Sequence, residues 1–406
     1  MFKAWNHGRD IAKIKNLIKS NRTSLIKNKF KKLKQEELKE LVSIAKAQIK
    51  AENLFSKGFK MFLNEEDLRF TTQEFIADYR ARKIYSFVGK EKIVDLCCGI
   101  GSQTISFAKY FRHVLAIDID ERKINYAFKN IQHRDLRNVT LLRGDIFDKE
   151  IIKKVSDFKP KVIFCDPQRK EKGLREEERE LIKNIIKNYS NITNNLVIEA
   201  PPFINIQKLK EELKKEFNLD FEAEFLSQDQ KLKRLTLYFS ELKRADYSII
   251  NFPEEKIIYL NSENNDSIIK ETNDLKDYLL EPNTALKRAS MIHKALEIAG
   301  IKAEAFDFGR NLILTSKEKI SDENIKVFFQ QYKVLFSKES NKECDEEIIK
   351  KLQEFNAKYV ILKQGFKPEN YWGVRNYYER ELNSTTNKIL YLFYLKNKLI
   401  ITELEP

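Results

Sequence analysis

Four short apolar runs between Lys92 and Arg169 each end in a carboxylate or a glycine-bearing turn: KIVDLCCGIG, HVLAIDID, VTLLRGDIFD and KVIFCDPQR. Between them, Ser102 to Phe111 and Glu121 to His133 carry apolar residues at helical spacing. Strand-length apolar runs alternating with amphipathic segments predict βαβ units and a parallel sheet. Ligands of such open sheets bind outside the carboxyl ends of the strands. Asp95, Gly99, Gly101, Asp118, Asp145 and Asp166 all fall at those ends, so the chemistry-bearing residues converge on one edge.

Around Gly99 and Gly101 the backbone can approach a ligand closely, because glycine has no side chain and tolerates φ > 0. A dinucleotide fingerprint would need a third glycine at position 104, which is Thr. Asp118, nineteen residues after Gly99, lies where an acid meets the ribose hydroxyls of an adenosine-type ligand. Asp145 either accepts from an adenine amino group or caps the next helix. Pro167 biases Asp166 toward an extended backbone that carries its carboxylate over the sheet edge.

At 406 residues, two or three domains are expected. No apolar run approaches the roughly eighteen residues of a membrane helix, and MFKAWNHGRD lacks a signal-peptide pattern, so a cytoplasmic location is expected. Cys97, Cys98, Cys165 and Cys344 form no disulfide framework, and no Cys or His pair has zinc-site spacing, so no metal is expected. The net charge is +14, and residues 1–60 hold 16 Lys/Arg against 5 Asp/Glu, a net +11. That concentration points to a phosphate-rich partner.

Along the chain, residues 9–57 predict two or three helices with no early proline, and Thr71-Thr-Gln-Glu74 reads as a capping box opening a helix through Ile84. A fifth strand at Leu196–Glu199 is stopped by Pro201 and Pro202. Two long runs, Phe221–Leu226 and Leu232–Phe239, predict an antiparallel hairpin, which closes the domain near Leu242. Polar residues 261–275 read as a loop, and the remainder as a separate α+β domain with a helix ended by Gly300 and a final hairpin at Ile389–Thr402.

DLCCGIG, the acid at 118, the Gly-Asp at 144 and 145, and DPQR together resemble, in order and spacing, the motifs of class I S-adenosylmethionine-dependent methyltransferases. The resemblance implies an α/β fold with a seven-stranded Rossmann-like sheet and S-adenosylmethionine as cofactor. It further implies cofactor contacts from Asp95, Cys97, Gly99, Gly101, Asp118, Ile119, Asp145 and Ile146, with Asp166 as the catalytic residue. FTTQEFIADYRARKI, YLLEPNTALKRASMIHKAL and YVILKQGFKPENYWGVRNYYEREL resemble segments of methyltransferases that carry a C-terminal THUMP-like domain. The implied organisation is a basic helical domain at 1–70, the methyltransferase domain at 71–245, a linker at 246–281 and a THUMP-like α+β domain at 282–406. RNA is the implied partner, with Arg169, Trp372 and Arg375 as substrate-binding residues. Arg169 pairs with phosphate or with a nearby acid. Trp372 and Arg375, three apart on a helix, stack on a base or belong to the core.

Two departures shape the expected chemistry. The (N/D)PP(Y/F) pattern of nucleic-acid amine methyltransferases is similar, but Gln168 and Arg169 occupy its last two places. DPQR also resembles the DPPR turn of uracil C5 methyltransferases, which use a cysteine near the fifth strand, where this chain has Glu199. Methyl transfer to a nitrogen or oxygen of tRNA or rRNA is therefore expected rather than to pyrimidine C5. The alternatives are a protein or small-molecule methyltransferase, and a non-catalytic RNA-binding protein.

Overall fold

A strand covered on both faces needs apolar side chains at nearly every position; the runs at Lys92–Leu96, His113–Asp118 and Val162–Cys165 are buried almost throughout, whereas Val139–Arg143, at the sheet edge, is only partly so. The computed structural model describes residues 8–52, 54–56, 61–168, 175–261, 269–308 and 311–405. It divides into two units, Met1–Phe221 with Thr236–Lys243, and Glu222–Leu235 with Arg244–Pro406.

The first unit opens with helices α1 (Gly8–Lys19), α2 (Leu25–Lys29), α3 (Gln35–Ala51), α4 (Glu65–Phe70) and α5 (Glu74–Val88). Then β1 (Lys92–Leu96), α6 (Ser102–Tyr110), β2 (His113–Asp118), α7 (Glu121–His133), β3 (Val139–Arg143), α8 (Lys149–Phe158), β4 (Val162–Cys165), α9 (Arg175–Tyr189), β5 (Leu196–Ala200) and α10 (Ile206–Phe217) alternate. The parallel strands lie in the order β3-β2-β1-β4-β5. Leu96 is level with both Ile117 and Cys165, and Cys165 with Ile198, so the strand ends align. Strand order reverses between β1 and β4, where neighbouring loops diverge and open a crevice. Asp95 and the glycine turn lie on one side of that point, Asp166 on the other.

The strands β6 (Phe221–Gln228) and β7 (Lys231–Phe239) form the expected hairpin, and the C-terminal part of β7 lies beside β5. In the second unit β6 pairs in parallel with β8 (Tyr247–Phe252), which pairs antiparallel with β9 (Lys256–Leu260). The expected seven-stranded sheet thus has nine strands, and much of the expected 246–281 linker is sheet. Ile249, Ile250, Phe252 and Leu260 are buried, a pairing signal that the polar residues on either side obscured.

A second sheet follows in the order β11-β12-β10-β13-β16-β15-β14. Its parts are β10 (Tyr278–Pro282), α11 (Thr284–Ala289), α12 (Ile292–Ile298), β11 (Ala303–Asp307), β12 (Ile313–Ser316), β13 (Phe329–Glu339), α13 (Glu346–Glu354), β14 (Tyr359–Leu362), α14 (Tyr371–Glu379), β15 (Ile389–Leu395) and β16 (Lys398–Leu404). Asn283 caps α11 by accepting from the Leu286 amide at 2.9 Å, and its Nδ2 donates to Ser227 Oγ at 3.0 Å. The Leu-Glu-Pro-Asn segment thus ties the tip of the β6–β7 hairpin to α11. Ser290 (φ +56°) breaks the single expected helix into α11 and α12.

Two expectations near the N-terminus are corrected. α5 starts at Glu74, and the preceding Gln73 makes no side-chain cap. The Glu74 carboxylate instead accepts from Ser56 N (2.5 Å) and Arg134 Nη1 (3.0 Å), and the true capping box is Asn64 with Asp67 at α4. Nor do the N-terminal helices have a core of their own. Ile14, Leu41 and Ile44 pack in one cluster with Ile100, Ile105, Tyr126, Ala127 and Ile131. Asn130 Nδ2 donates to Phe62 O and Ile100 O (3.0 and 2.9 Å), and Arg122 pairs with buried Asp67 at 2.6 Å. Deleting residues 1–60 would expose that apolar face, so the basic charge must be probed by substitution.

Candidate active site

The loop after β1 turns tightly. Cys97 (φ +61°), Gly99 (φ +56°) and Gly101 (φ +83°) are all left-handed, and the turn closes as Gly101 N donates to Cys98 O at 2.9 Å. A Cβ at Gly101 would lie 3.3 Å from Ala127 Cβ, so glycine lets α7 approach, whereas a Cβ at Gly99 would meet nothing within 4 Å. Asp118 braces the turn. Its Oδ2 accepts from Gly99 N at 2.8 Å and its Oδ1 from Asp120 N at 2.9 Å. Each carboxylate oxygen can accept twice, so Asp118 keeps capacity for hydroxyl donors.

Asp95 is the unusual group. It is 1% exposed; Oδ2 accepts from Thr104 Oγ1 at 2.5 Å, while Oδ1 is buried with no hydrogen-bond partner. Burial pushes its pKa up to about 7, Thr104 opposes that rise, and the charges of Asp166 and Asp118 add to it. A buried acceptor without a donor is costly, so a donor or a cation at Oδ1 would be favourable.

At the ends of β2 and β3, Ile119 is 63% exposed and Phe147 40% exposed. Asp145 does not cap α8: its carboxylate accepts from Phe147 N at 2.9 Å, and the cap is Asp148, which accepts from Glu150 N. Ile146 is buried, and its carbonyl accepts from Tyr189 Oη at 2.5 Å. Phe147, passed over in the sequence, is the apolar side chain facing outward there. A Cβ at Gly144 would fall 2.3 Å from Ile151 Cδ1, so a side chain there would force Ile151 into another rotamer.

Beyond the switch point, Asp166 N donates to Leu96 O at 3.4 Å, and Gln168 Oε1 accepts from Lys123 Nζ at 3.0 Å. Arg169 lies outside the described residues. Hydrogen bonding with Cys97, then burial, holds the Cys165 thiol well above its usual pKa, so it makes no ready nucleophile.

In the sequence Glu199 marks only the place where a cysteine would stand, and Arg80 lies far from it in the chain. The two form a buried ion pair. Thr236 Oγ1 donates to Glu199 Oε1 at 2.9 Å, Arg80 Nη1 donates to Gln103 Oε1 at 2.7 Å, and the guanidinium lies 4.9 Å from the Phe164 ring centroid. An acid inside the all-apolar strand LVIEA signals a buried partner.

In the second unit, Trp372 is 68% exposed and so is no core residue. The Arg375 guanidinium lies 5.7 Å from the Trp372 ring, and its Nε donates to Glu379 Oε1 at 3.0 Å. In the first unit, Arg22, Lys27, Lys29, Lys31, Lys32 and Lys34 are all exposed, and residues 20–35 contain no acid. Among the described residues, no cluster of three or more His, Cys, Asp or Glu could hold a metal ion, and no helix is long and apolar enough to cross a membrane.

Residues 90–242 match the model of the RNA cap guanine-N2 methyltransferase family, a span that contains Asp95, Gly99, Gly101, Asp118, Asp145, Asp166 and Glu199. An uncharacterized RNA methyltransferase of Protochlamydia amoebophila is 31% identical over 91 residues, 22% of this chain and 21% of that protein. Trimethylguanosine synthase of Schizosaccharomyces pombe is 31% identical over 119 residues, 28% of this chain and 49% of that protein. The chain therefore spans between a fifth and a half of the length of these curated relatives. Over nearly its full length it shares the fold of a candidate methyltransferase from Porphyromonas gingivalis W83, with a TM-score of 0.72 at 17% identity, covering 98% of this chain and 99% of that one.

Proposed function

We infer that the chain belongs to the S-adenosylmethionine-dependent methyltransferases and methylates a nitrogen of a base in tRNA or rRNA. The observation that carries this reading is the match of residues 90–242 to a family named for guanine-N2 methylation of RNA, over the strand ends that bear Asp95, Gly99, Gly101, Asp118 and Asp166.

The residues present fit the cofactor. Gly99 leaves open space where a side chain would stand, Asp118 has spare acceptor capacity, and Asp95 Oδ1 lacks a donor. Asp118 would hold the ribose hydroxyls, Asp95 a cationic or N–H group, and Ile119 with Phe147 the faces of the adenine. When bound, S-adenosylmethionine supplies an electrophilic methyl carbon. Asp166 orients the attacking nitrogen or takes up its proton. Holding the reactants at about 3 to 3.5 Å supplies much of the barrier reduction, roughly 7 to 11 kcal/mol. Glu199, engaged with Arg80, occupies the place where C5 methylation would need a cysteine.

The basic stretch from Arg22 to Lys34 serves as an RNA contact, and residues 282–406 serve as the THUMP-like RNA-binding module, with Trp372 and Arg375 as contacts. Labelled methyl groups offered to cell extract with and without ribonuclease test the assignment. Label in RNA is expected, and label confined to protein or small molecules would refute it. Replacing Lys27, Lys29, Lys31, Lys32 and Lys34 with Gln should flatten the salt dependence of RNA affinity by about 0.7 in log–log slope per lost phosphate contact. An unchanged slope would remove this face from the RNA path.

Asp95 makes cofactor binding pH-dependent. The carboxylate form suits a cationic ligand, so affinity should rise as Asp95 ionises through pH 7 and be about tenfold weaker at pH 6 than above pH 8. Calorimetry in two buffers of different ionisation enthalpy should register proton release near pH 6. Binding with no proton exchange would exclude Asp95 from the site. The apo protein should show the opposite trend. With a folded pKa above the ordinary value of 3.8, Asp95 contributes stability below about pH 4 that is lost as pH rises toward 7.

A further inference from the structure

We propose that Lys123 binds the phosphate of the nucleotide whose base is methylated, a role that rests on the RNA reading above. Lys123 is the third residue of α7, which follows β2, and its Nζ donates to Gln168 Oε1 at 3.0 Å. Gln168 stands two residues after Asp166, beyond the carboxyl end of β4. In the sheet β1 lies between β2 and β4, so those two strands stand about 9.6 Å apart, two spacings of about 4.8 Å. The bond therefore crosses the carboxyl end of β1 and carries an ammonium from the Asp118 side of the switch point to the Asp166 side.

The charge at this edge gives that ammonium its use. Asp95, Asp118, Asp145 and Asp166 make the strand ends acidic, and an acidic lip repels a polyanion. A phosphodiester that delivers its base to Asp166 needs a cation to offset the repulsion. Two neighbouring cations are already paired: Arg122 with Asp67 at 2.6 Å and Asp120 at 3.7 Å, and Arg143 with Glu121 at 2.8 Å. Lys123 differs. Among the described residues its ammonium bonds to the neutral Gln168 carbonyl and to no carboxylate. An anionic phosphate oxygen attracts an ammonium more strongly than a neutral amide does, and the three N–H donors of lysine let it bond beside the amide or replace it. Phosphate contacts fix register without reading sequence. Lys123 is thus a positioning residue that sets which base along the strand meets Asp166.

The test compares the parent chain with Lys123→Gln and Lys123→Arg on bulk RNA purified from cells lacking the protein. At low salt Lys123→Gln should raise KM for RNA roughly tenfold to a hundredfold, the range of one charge-assisted hydrogen bond. It should also lower the slope of log KM against log salt by about 0.7, the value of one phosphate contact on a single strand. Lys123→Arg keeps the charge, so it should keep that slope, with KM within about threefold of the parent. Melting temperature and the Kd of S-adenosylmethionine should match the parent in both variants. If Lys123→Gln instead weakens cofactor binding about tenfold and leaves the RNA salt slope unchanged, the ammonium serves the cofactor carboxylate and the phosphate role is overturned. If KM and slope in Lys123→Gln both equal those of the parent, the role is overturned while the RNA reading stands. If the parent labels only protein or small molecules, both fall together.

Discussion

Asp166→Ala should lower methyl transfer at least about a hundredfold in a chain that still binds S-adenosylmethionine, the scale lost when a positioned acid or base is removed. The backbone at 166 is held to β1 through Leu96 O and fixed by the following proline, so the variant should keep its loop. Asp166→Asn separates the two roles of the carboxylate. An amide oxygen still accepts from a substrate N–H but takes up no proton, so recovery in Asn indicates orientation and failure indicates proton removal. A further readout is independent of turnover. The Asp166 charge helps raise Asp95, so removing it should move the pH midpoint of cofactor binding toward acid. Near-parent turnover in Asp166→Ala would reduce the residue to a loop support.

The strand ends were legible because each carries a residue with few alternatives. A left-handed turn favours glycine, and a carboxylate at the end of an apolar strand lies at the sheet edge. What was not legible depended on partners distant in sequence. The role of Glu199 is set by Arg80, 119 positions away, and no local pattern pairs them. Thr71–Glu74 matches a capping box by spacing, yet Glu74 turns to Ser56 and Arg134 because those donors are near in space. The N-terminal helices have the periodicity of an independent bundle, and only the packing of Ile14 and Leu41 with Ile100 and Ala127 shows that their apolar faces complete the core beside the glycine turn. Ile146 and Phe147 alternate along one segment, and which of them faces outward depends on register with Tyr189, which the sequence does not encode locally.

Glu199→Ala should be the most destabilising single change proposed for the first unit, at about 3 to 5 kcal/mol, because it leaves a buried guanidinium without its counter-charge. Arg80 also spans Gln103 on α6 and the Phe164 ring of β4, so its displacement would disturb the wall behind Asp166. The reverse variant, Arg80→Met, strands a buried carboxylate instead and should cost a similar amount. The double variant Arg80→Met/Glu199→Leu removes both charges together, and its loss should be much smaller than the sum of the two single losses, since apolar replacements of a buried pair are often neutral. Denaturant midpoints of the four proteins give the coupling directly. Single losses below about 1 kcal/mol, the range of an exposed ion pair, would mean that the pair is hydrated and does not anchor the β5 turn.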